Sequence, residues 1–152
     1  MRIAQSSPAR RRGFVGVLGL VAVLTAGCIG PGRTGPPPPP APGAATAVAF
    51  IESQIGKPYC YAGVGPQCYD CSGLSMMAWA QAGVYMSHGS NDQLASFPRV
   101  SLNQLQPGDL VFWDGHVGIY VGGNSVLHAP YTGTVVQITG IWPGVIGAVR
   151  PG

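Results

Sequence analysis

Five consecutive prolines, Pro36 to Pro40, lie in a Pro/Gly-rich stretch from Ile29 to Gly43 and fix where this 152-residue chain can form a globule. A run of this kind adopts extended polyproline II and behaves as a semi-rigid spacer. Residues 44–152 must therefore supply the whole core, and that length is room for one domain, not two.

In front of the spacer, residues 1–28 read as an export signal. Arg10, Arg11 and Arg12 form a basic head, and Phe14 to Ala26 an apolar stretch. That stretch is shorter than the roughly 20 residues a membrane-spanning helix needs, but it suits the hydrophobic region of a leader. Leu24-Thr25-Ala26-Gly27-Cys28 resembles the lipobox of bacterial lipoproteins, which implies Cys28 as a lipidation site. Arg11-Arg12 also fits a weak twin-arginine signal, although a plain basic head is the simpler reading. The expected organisation is thus 1–28 leader, 29–43 linker and 44–152 domain, exported and held in the cell envelope through a lipid anchor, with simple secretion and a free Cys28 as the alternative.

The formal charge of +3 belongs mostly to the leader. From Cys28 onward, Arg33, Lys57, Arg99 and Arg150 stand against Glu52, Asp70, Asp92, Asp109 and Asp114, which is four against five. No basic stripe remains, so nucleic acid is not an expected partner. Charged residues are only 9% of the chain, against about a quarter in ordinary proteins, which excludes a charged disordered tail or a coiled coil.

Within the domain, Val48, Phe50, Ile51 and Ile55 give helical spacing over 44–55, stopped by Gly56 and Pro58. A second helix is expected over 71–84. Leu74, Met77, Ala78 and Ala82 form one stripe, and Met76, Trp79 and Ala80 fill the opposite side, so this helix should be buried. After residue 100 the period changes. Residues 109–113, 116–121, 125–129, 134–138 and 145–150 read as five strands bounded by Gly, Pro or Asn. Helices first and strands afterwards, with hairpin-length links, indicate an α+β fold with an antiparallel sheet.

Cys71 opens the second helix. A thiol there faces the positive end of the helix dipole and unpaired backbone N–H groups, which favour a thiolate and can hold an oxyanion. A buried, inert cysteine is the alternative. Two histidines, His116 and His128, fall on consecutive strands joined by Gly122-Gly123-Asn124. With a three-residue loop, Val121 opposes Ser125 and His128 faces Gly118. The histidines are then diagonal neighbours on one face, left open by Gly118, while Val117, Ile119 and Val121 face the core. A two-residue loop would reverse the parity and part them. Held together, the two rings suit a general base and the group that orients it.

Lys57-Pro58-Tyr59, Asp70-Cys-Ser-Gly-Leu74, Leu105-Gln-Pro-Gly-Asp-Leu-Val-Phe112, His116-Val-Gly-Ile-Tyr-Val-Gly122 and His128-Ala-Pro130 resemble, in order, the NlpC/P60 family of cell-wall cysteine peptidases. The resemblance implies a compact papain-like α+β fold and cleavage of peptidoglycan stem peptides, often between γ-D-glutamate and diaminopimelate. It implies Cys71 as nucleophile, His116 as base, His128 as the orienting residue and Tyr59 near the oxyanion. It also implies that Asp70 and Ser72 help to hold substrate. No cofactor or metal is needed, and a monomer is expected. The chain departs from the family at Tyr61-Ala62-Gly63, where relatives often read Trp-Gly-Gly. It departs again at Ser87-His88-Gly89-Ser90, where a Pro-Arg-Thr/Ser segment is common, although Gln93 is retained. The link Asp114-Gly115 is short and should leave the cleft open.

With Cys28 acylated, three cysteines remain and one should stay free. Pairing Cys60 with Cys68 would staple the loop beside Tyr59 and spare Cys71. Cys68-Tyr-Asp-Cys71 has C-x-x-C spacing, so a redox or zinc site is a second reading, although no βαβ setting or second ligand pair accompanies it. A non-catalytic envelope-binding module on the same fold, or an amidase or toxin acting on another wall bond, are the alternatives in function.

Overall fold

A computed structural model describes residues 38–152. The expected leader and Cys28 lie outside the described residues, as does the linker up to residue 37. The end of the linker differs from expectation, because it packs. The Pro39 carbonyl accepts a hydrogen bond from Arg150 Nη1 at 3.4 Å, and Ala41 packs against the main core.

Helix α1 (Ala44–Glu52) begins after Gly43, whose φ of +83° suits glycine. Its Ala44, Ala47 and Ile51 are buried, a spacing of three and four residues that puts one face inward. Beyond Glu52 the chain continues in turns to Gly56 rather than as helix to Ile55. Helix α2 (Cys71–Gln81) ends three residues before the expected Val84, and Gly83 follows at φ +80°. It buries Leu74, Ala78 and Trp79 on its apolar side and Ser72, Gly73 and Ser75 on another. This is the enclosed helix that its composition requires. Helix α3 (Ser90–Ser96) was not expected. Its sequence carries no apolar period, and its one buried residue is Gln93.

The sheet has five antiparallel strands in the order β4-β3-β2-β1-β5. They are β1 (Leu110–Trp113), β2 (His116–Gly122), β3 (Ser125–His128), β4 (Gln137–Gly140) and β5 (Gly147–Val149). One face packs on the helices: Leu110, Phe112, Val117, Ile119, Leu127 and Val149 join Ile51, Leu74, Ala78 and Trp79 in the main core. The other face carries a smaller cluster, Val111, Trp113, Val126 and Ala148, covered by Ile141, Trp142 and Val145. A bidentate ion pair closes the C-terminus onto the start of β1. Arg150 Nε and Nη2 each donate to the Asp109 carboxylate at 2.7 Å.

The hairpin that carries the two histidines is built differently from the expected one, with the same outcome. Its turn holds two residues, Gly123 and Asn124, both at positive φ (+57° and +58°), as a type I′ turn requires. Gly122 then pairs with Ser125. That alone would reverse the parity of β2 against β3. A bulge between Tyr120 and Gly122 leaves Val121 unpaired and restores it, so that Tyr120 pairs with Val126 and Ile119 with Leu127. Strand β4 also begins later than the expected 134–138. The extended residues before it bond elsewhere: Val136 N–H donates to the Lys57 carbonyl, and Tyr59 N–H to that of Thr134.

Candidate active site

The loop before α2 is fastened at both ends. Cys60 and Cys68 form a disulfide with Cα atoms 5.6 Å apart, and Cys71 is free. In this pairing Cys68 is bonded to Cys60 and not to Cys71. The Gly63 carbonyl accepts from the Asp70 N–H at 2.9 Å. A Cβ on Gly73 would collide with that same carbonyl oxygen. Glycine at 73 is what lets the stapled loop lie against the first turn of the helix.

Asp70 is the N-cap of α2. Its Oδ1 accepts from the Gly73 N–H at 2.6 Å and from the Ser72 hydroxyl at 3.3 Å. Cys71 is therefore the first helical residue, half-buried. Its sulfur receives backbone N–H bonds from Val117 and Ser72, which favour the thiolate, but burial pushes the thiol up and the Asp70 carboxylate adds to this. The thiolate expected from helix position alone is thus opposed, chiefly by desolvation.

His116 is the first residue of β2 and pairs with Trp113 across the Asp114-Gly115 turn. Its Nε2 lies 2.7 Å from Nδ1 of His128, with the two rings nearly perpendicular at 80°. Gly118 does not leave an open face between them. A Cβ there would press on Val126 and on the Cβ of His128 at 3.1 and 3.4 Å, so the missing side chain makes room for His128. Burial pulls both imidazoles down to about 4, and for His128 the neighbouring His116 adds to the effect. The physical cause is visible above the rings. Trp142 stacks on Trp113 with centroids 3.7 Å apart, and its ring lies 5.8 Å from His116 and 5.2 Å from His128. Trp113 Nε1 donates to the Trp142 carbonyl at 3.1 Å, which fixes this aromatic cover.

Two clefts meet at Gly115. One, of about 400 Å³, is lined by Tyr59, Tyr61, Asp70, Cys71, Ser72 and His88. The other, of about 620 Å³, runs past His116 and His128 to Tyr131, Gln137, Thr139 and Trp142. A thiol at a helix start and a neutral imidazole pair, on clefts that share Gly115, are the groups that nucleophilic acyl transfer uses.

Residues 56–144 match the model of the NlpC/P60 family. The chain belongs to the NlpC/P60 family. It is 41% identical over 91 residues to the "Probable endopeptidase p60" of Listeria seeligeri, a match covering 57% of this chain and 17% of that protein. The chain therefore spans about a fifth of the length of the curated relatives it matches. Among solved structures, it resembles NlpC2 from Trichomonas vaginalis (TM-score 0.69, 25% identity, 74% of this chain and 48% of that one). It also resembles the NlpC/p60 domain of the peptidoglycan hydrolase SagA (TM-score 0.66, 32% identity, 70% of this chain and 97% of that one).

Within this NlpC/P60 domain the expected residues Tyr59, Asp70, Cys71 and Ser72 line the first cleft, and His116 and His128 the second. Burial raises the Tyr59 phenol, as do Cys71, Asp70 and Tyr61 around it, so it stays an O–H donor. Asp70 lines the cleft and is also engaged within the protein. Beyond the cap, both of its carboxylate oxygens lie 2.9 Å from Nε2 of His88, so its acceptors are largely taken from within the protein. The residue before His88 is held by Gln93, fully buried, whose Nε2 donates to the Ser72 and Ser87 carbonyls at 2.9 Å. Sequence reasoning noticed the departure at Ser87-His88 without placing it. It missed Trp142 and Thr139 altogether, because Thr139 reaches the histidines through strand register and Trp142 through the loop after β4, not through any local pattern. Among the described residues, no cluster of His, Cys, Asp and Glu has the makings of a metal site, and no helix is long and apolar enough to cross a membrane.

Proposed function

We propose that this NlpC/P60 domain is a cysteine peptidase that hydrolyses peptidoglycan stem peptides, at the bond between γ-D-glutamate and diaminopimelate. The observation that carries the reading is the convergence of two features. The Cys71 thiol is half-buried at the start of α2 with N–H groups aimed at its sulfur, one of them from Val117, the residue after His116, and His116 Nε2 is tied to His128 at 2.7 Å. The name of the Listeria relative, an endopeptidase, supports the reaction type, and that of SagA, a peptidoglycan hydrolase, supports the substrate.

In this mechanism His116, with Nε2 engaged, takes the Cys71 proton at Nδ1, and the sulfur attacks the scissile carbonyl. Tyr59 O–H and the Cys71 backbone N–H donate to the oxyanion. The C–N bond breaks as His116 returns the proton to the departing amine. Water, activated by His116, then hydrolyses the thioester and regenerates the thiol. His128 holds the ring of His116 in one tautomer and shares its transient charge.

The test is digestion of purified peptidoglycan by the full-length protein and by Cys71→Ala, with fragments identified by mass spectrometry. New fragments from the wild type alone are expected, and cleavage by Cys71→Ala would overturn the mechanism. We further propose export by residues 1–28 and anchoring through an acylated Cys28. Cys28→Ala should then shift the protein from the membrane fraction to the medium, and an unchanged distribution would exclude the anchor.

A further inference from the structure

Behind His128 lies a group that the proposed mechanism has not yet used. Gln137 is the residue directly opposite His128 in the β3–β4 ladder, and Thr139 is opposite Val126. Thr139 is thus the diagonal neighbour of His128 on the same sheet face, within reach of a long side chain. Its Oγ1 lies 3.1 Å from Nε2 of His128. Both nitrogens of His128 are therefore engaged, Nδ1 by His116 and Nε2 by Thr139. Thr139 is half-buried at the wall of the larger cleft.

We propose that Thr139 is a positioning residue that sets the tautomer of His128, and through it that of His116, as the fourth member of a Cys71–His116–His128–Thr139 relay. The inference rests on the cysteine-peptidase reading and deepens it. If His116 takes the thiol proton at Nδ1, that nitrogen must be bare in the resting protein. Its proton then sits on Nε2 and is donated to Nδ1 of His128. An imidazole that accepts at Nδ1 and is neutral must carry its own proton at Nε2. That proton needs an acceptor in a site covered by Trp142, and the Thr139 hydroxyl oxygen supplies it. The opposite arrangement has Thr139 donating to His128 Nε2. It would move the His128 proton to Nδ1, place the His116 proton on Nδ1 and disable the base. Thr139 fixes the working direction by accepting from His128 while its own O–H points to the open cleft. No proton is gained or lost in choosing between the two arrangements, so the choice rests entirely on who accepts at each end. The same acceptor holds the charge when His116 becomes an imidazolium and draws on His128 during turnover.

The test uses the whole protein labelled with ¹⁵N at histidine, which contains only three histidines, and reads ring tautomers by two-bond ¹H–¹⁵N correlation at pH 7. In the wild type His116 and His128 should both appear as Nε2–H tautomers. Thr139→Val, of nearly equal volume, should leave the His88 signals unmoved, which reports an intact fold, and should turn His128 into a tautomer mixture. The same variant should lose about tenfold in kcat, the size of one hydrogen bond's net contribution, with KM unchanged. Thr139→Ser should restore both readouts. A single Nε2–H tautomer of His128 persisting in Thr139→Val, or an Nδ1–H tautomer in the wild type, would overturn the relay. If the tautomers respond as stated while no variant cleaves peptidoglycan, the relay stands and the substrate reading falls.

Discussion

Acid should act on this domain far later than on an ordinary histidine enzyme. The perturbation is a fall in pH from 7.5 to 5.5. A histidine at its ordinary value of 6.5 would be only about one-tenth neutral at pH 5.5. His116, pulled by burial to about 4, remains almost wholly neutral there. The proposed hydrolysis should therefore keep nearly all of its kcat/KM at pH 5.5, where an unperturbed base would lose about tenfold, and its acid limb should lie near 4. The assay is kcat/KM on a soluble stem peptide across pH 3.5–9. An acid limb between 6 and 7 would refute the reasoning, because it would mean that His116 is not desolvated in the resting site.

Stability follows with a definite sign. The folded-state value of each histidine lies below its unfolded value, so the unfolded chain binds more protons between about 6.5 and 4. The contribution is complete above 6.5 and is lost as pH falls through that window. For His128, only 5% exposed, the loss approaches about 3 kcal/mol. His116 is less enclosed and adds less, since solvent screens its ring.

Removing the disulfide by Cys60→Ser with Cys68→Ser frees a loop whose ends are 8 residues apart. It should cost about 2.5 kcal/mol on the loop-entropy scale, read by urea unfolding of the double variant, and an unchanged midpoint would show that loop 60–68 is held by its backbone bonds alone. Asp70→Ala removes the cap of α2 together with the partner of His88, and about 1–2 kcal/mol should go with it. His88→Ala should cost under about 1 kcal/mol because its pair is partly exposed. Equal losses in calorimetry would refute capping as the main work of Asp70.

The elements were readable where local chemistry decides them. Cys71 to Gln81 forms a helix because an aspartate cap precedes a run without proline, and Leu110 to Trp113 a strand because apolar residues lie between Asp109 and a glycine turn. Helix α3 was not readable. Its residues Ser90–Ser96 carry no apolar face, and the contact that orders them is a buried Gln93 bonding to α2 and its following loop. The start of β4 was misplaced for a related reason. Residues 134–136 are extended as expected, but they bond to Lys57 and Tyr59 before the chain turns to β3.

The histidine pair divides the two kinds of knowledge most clearly. Sequence alone determined that one thiol opens a buried helix, that two imidazoles sit on neighbouring strands, and that the match to one family runs through the residues around them. These depend on spacing and on residue type. Whether the imidazoles meet depended on a bulge at Val121 cancelling a two-residue turn, which depends on how the whole ladder distributes its hydrogen bonds. The resting charges of the site were also tertiary. The start of a helix favours a thiolate, but the depth of Cys71 and the aromatic cover over His116 and His128 favour neutral groups. Desolvation acts through everything packed around an atom, including segments far along the chain, and Trp142 and Thr139 reached these histidines only when the sheet had formed.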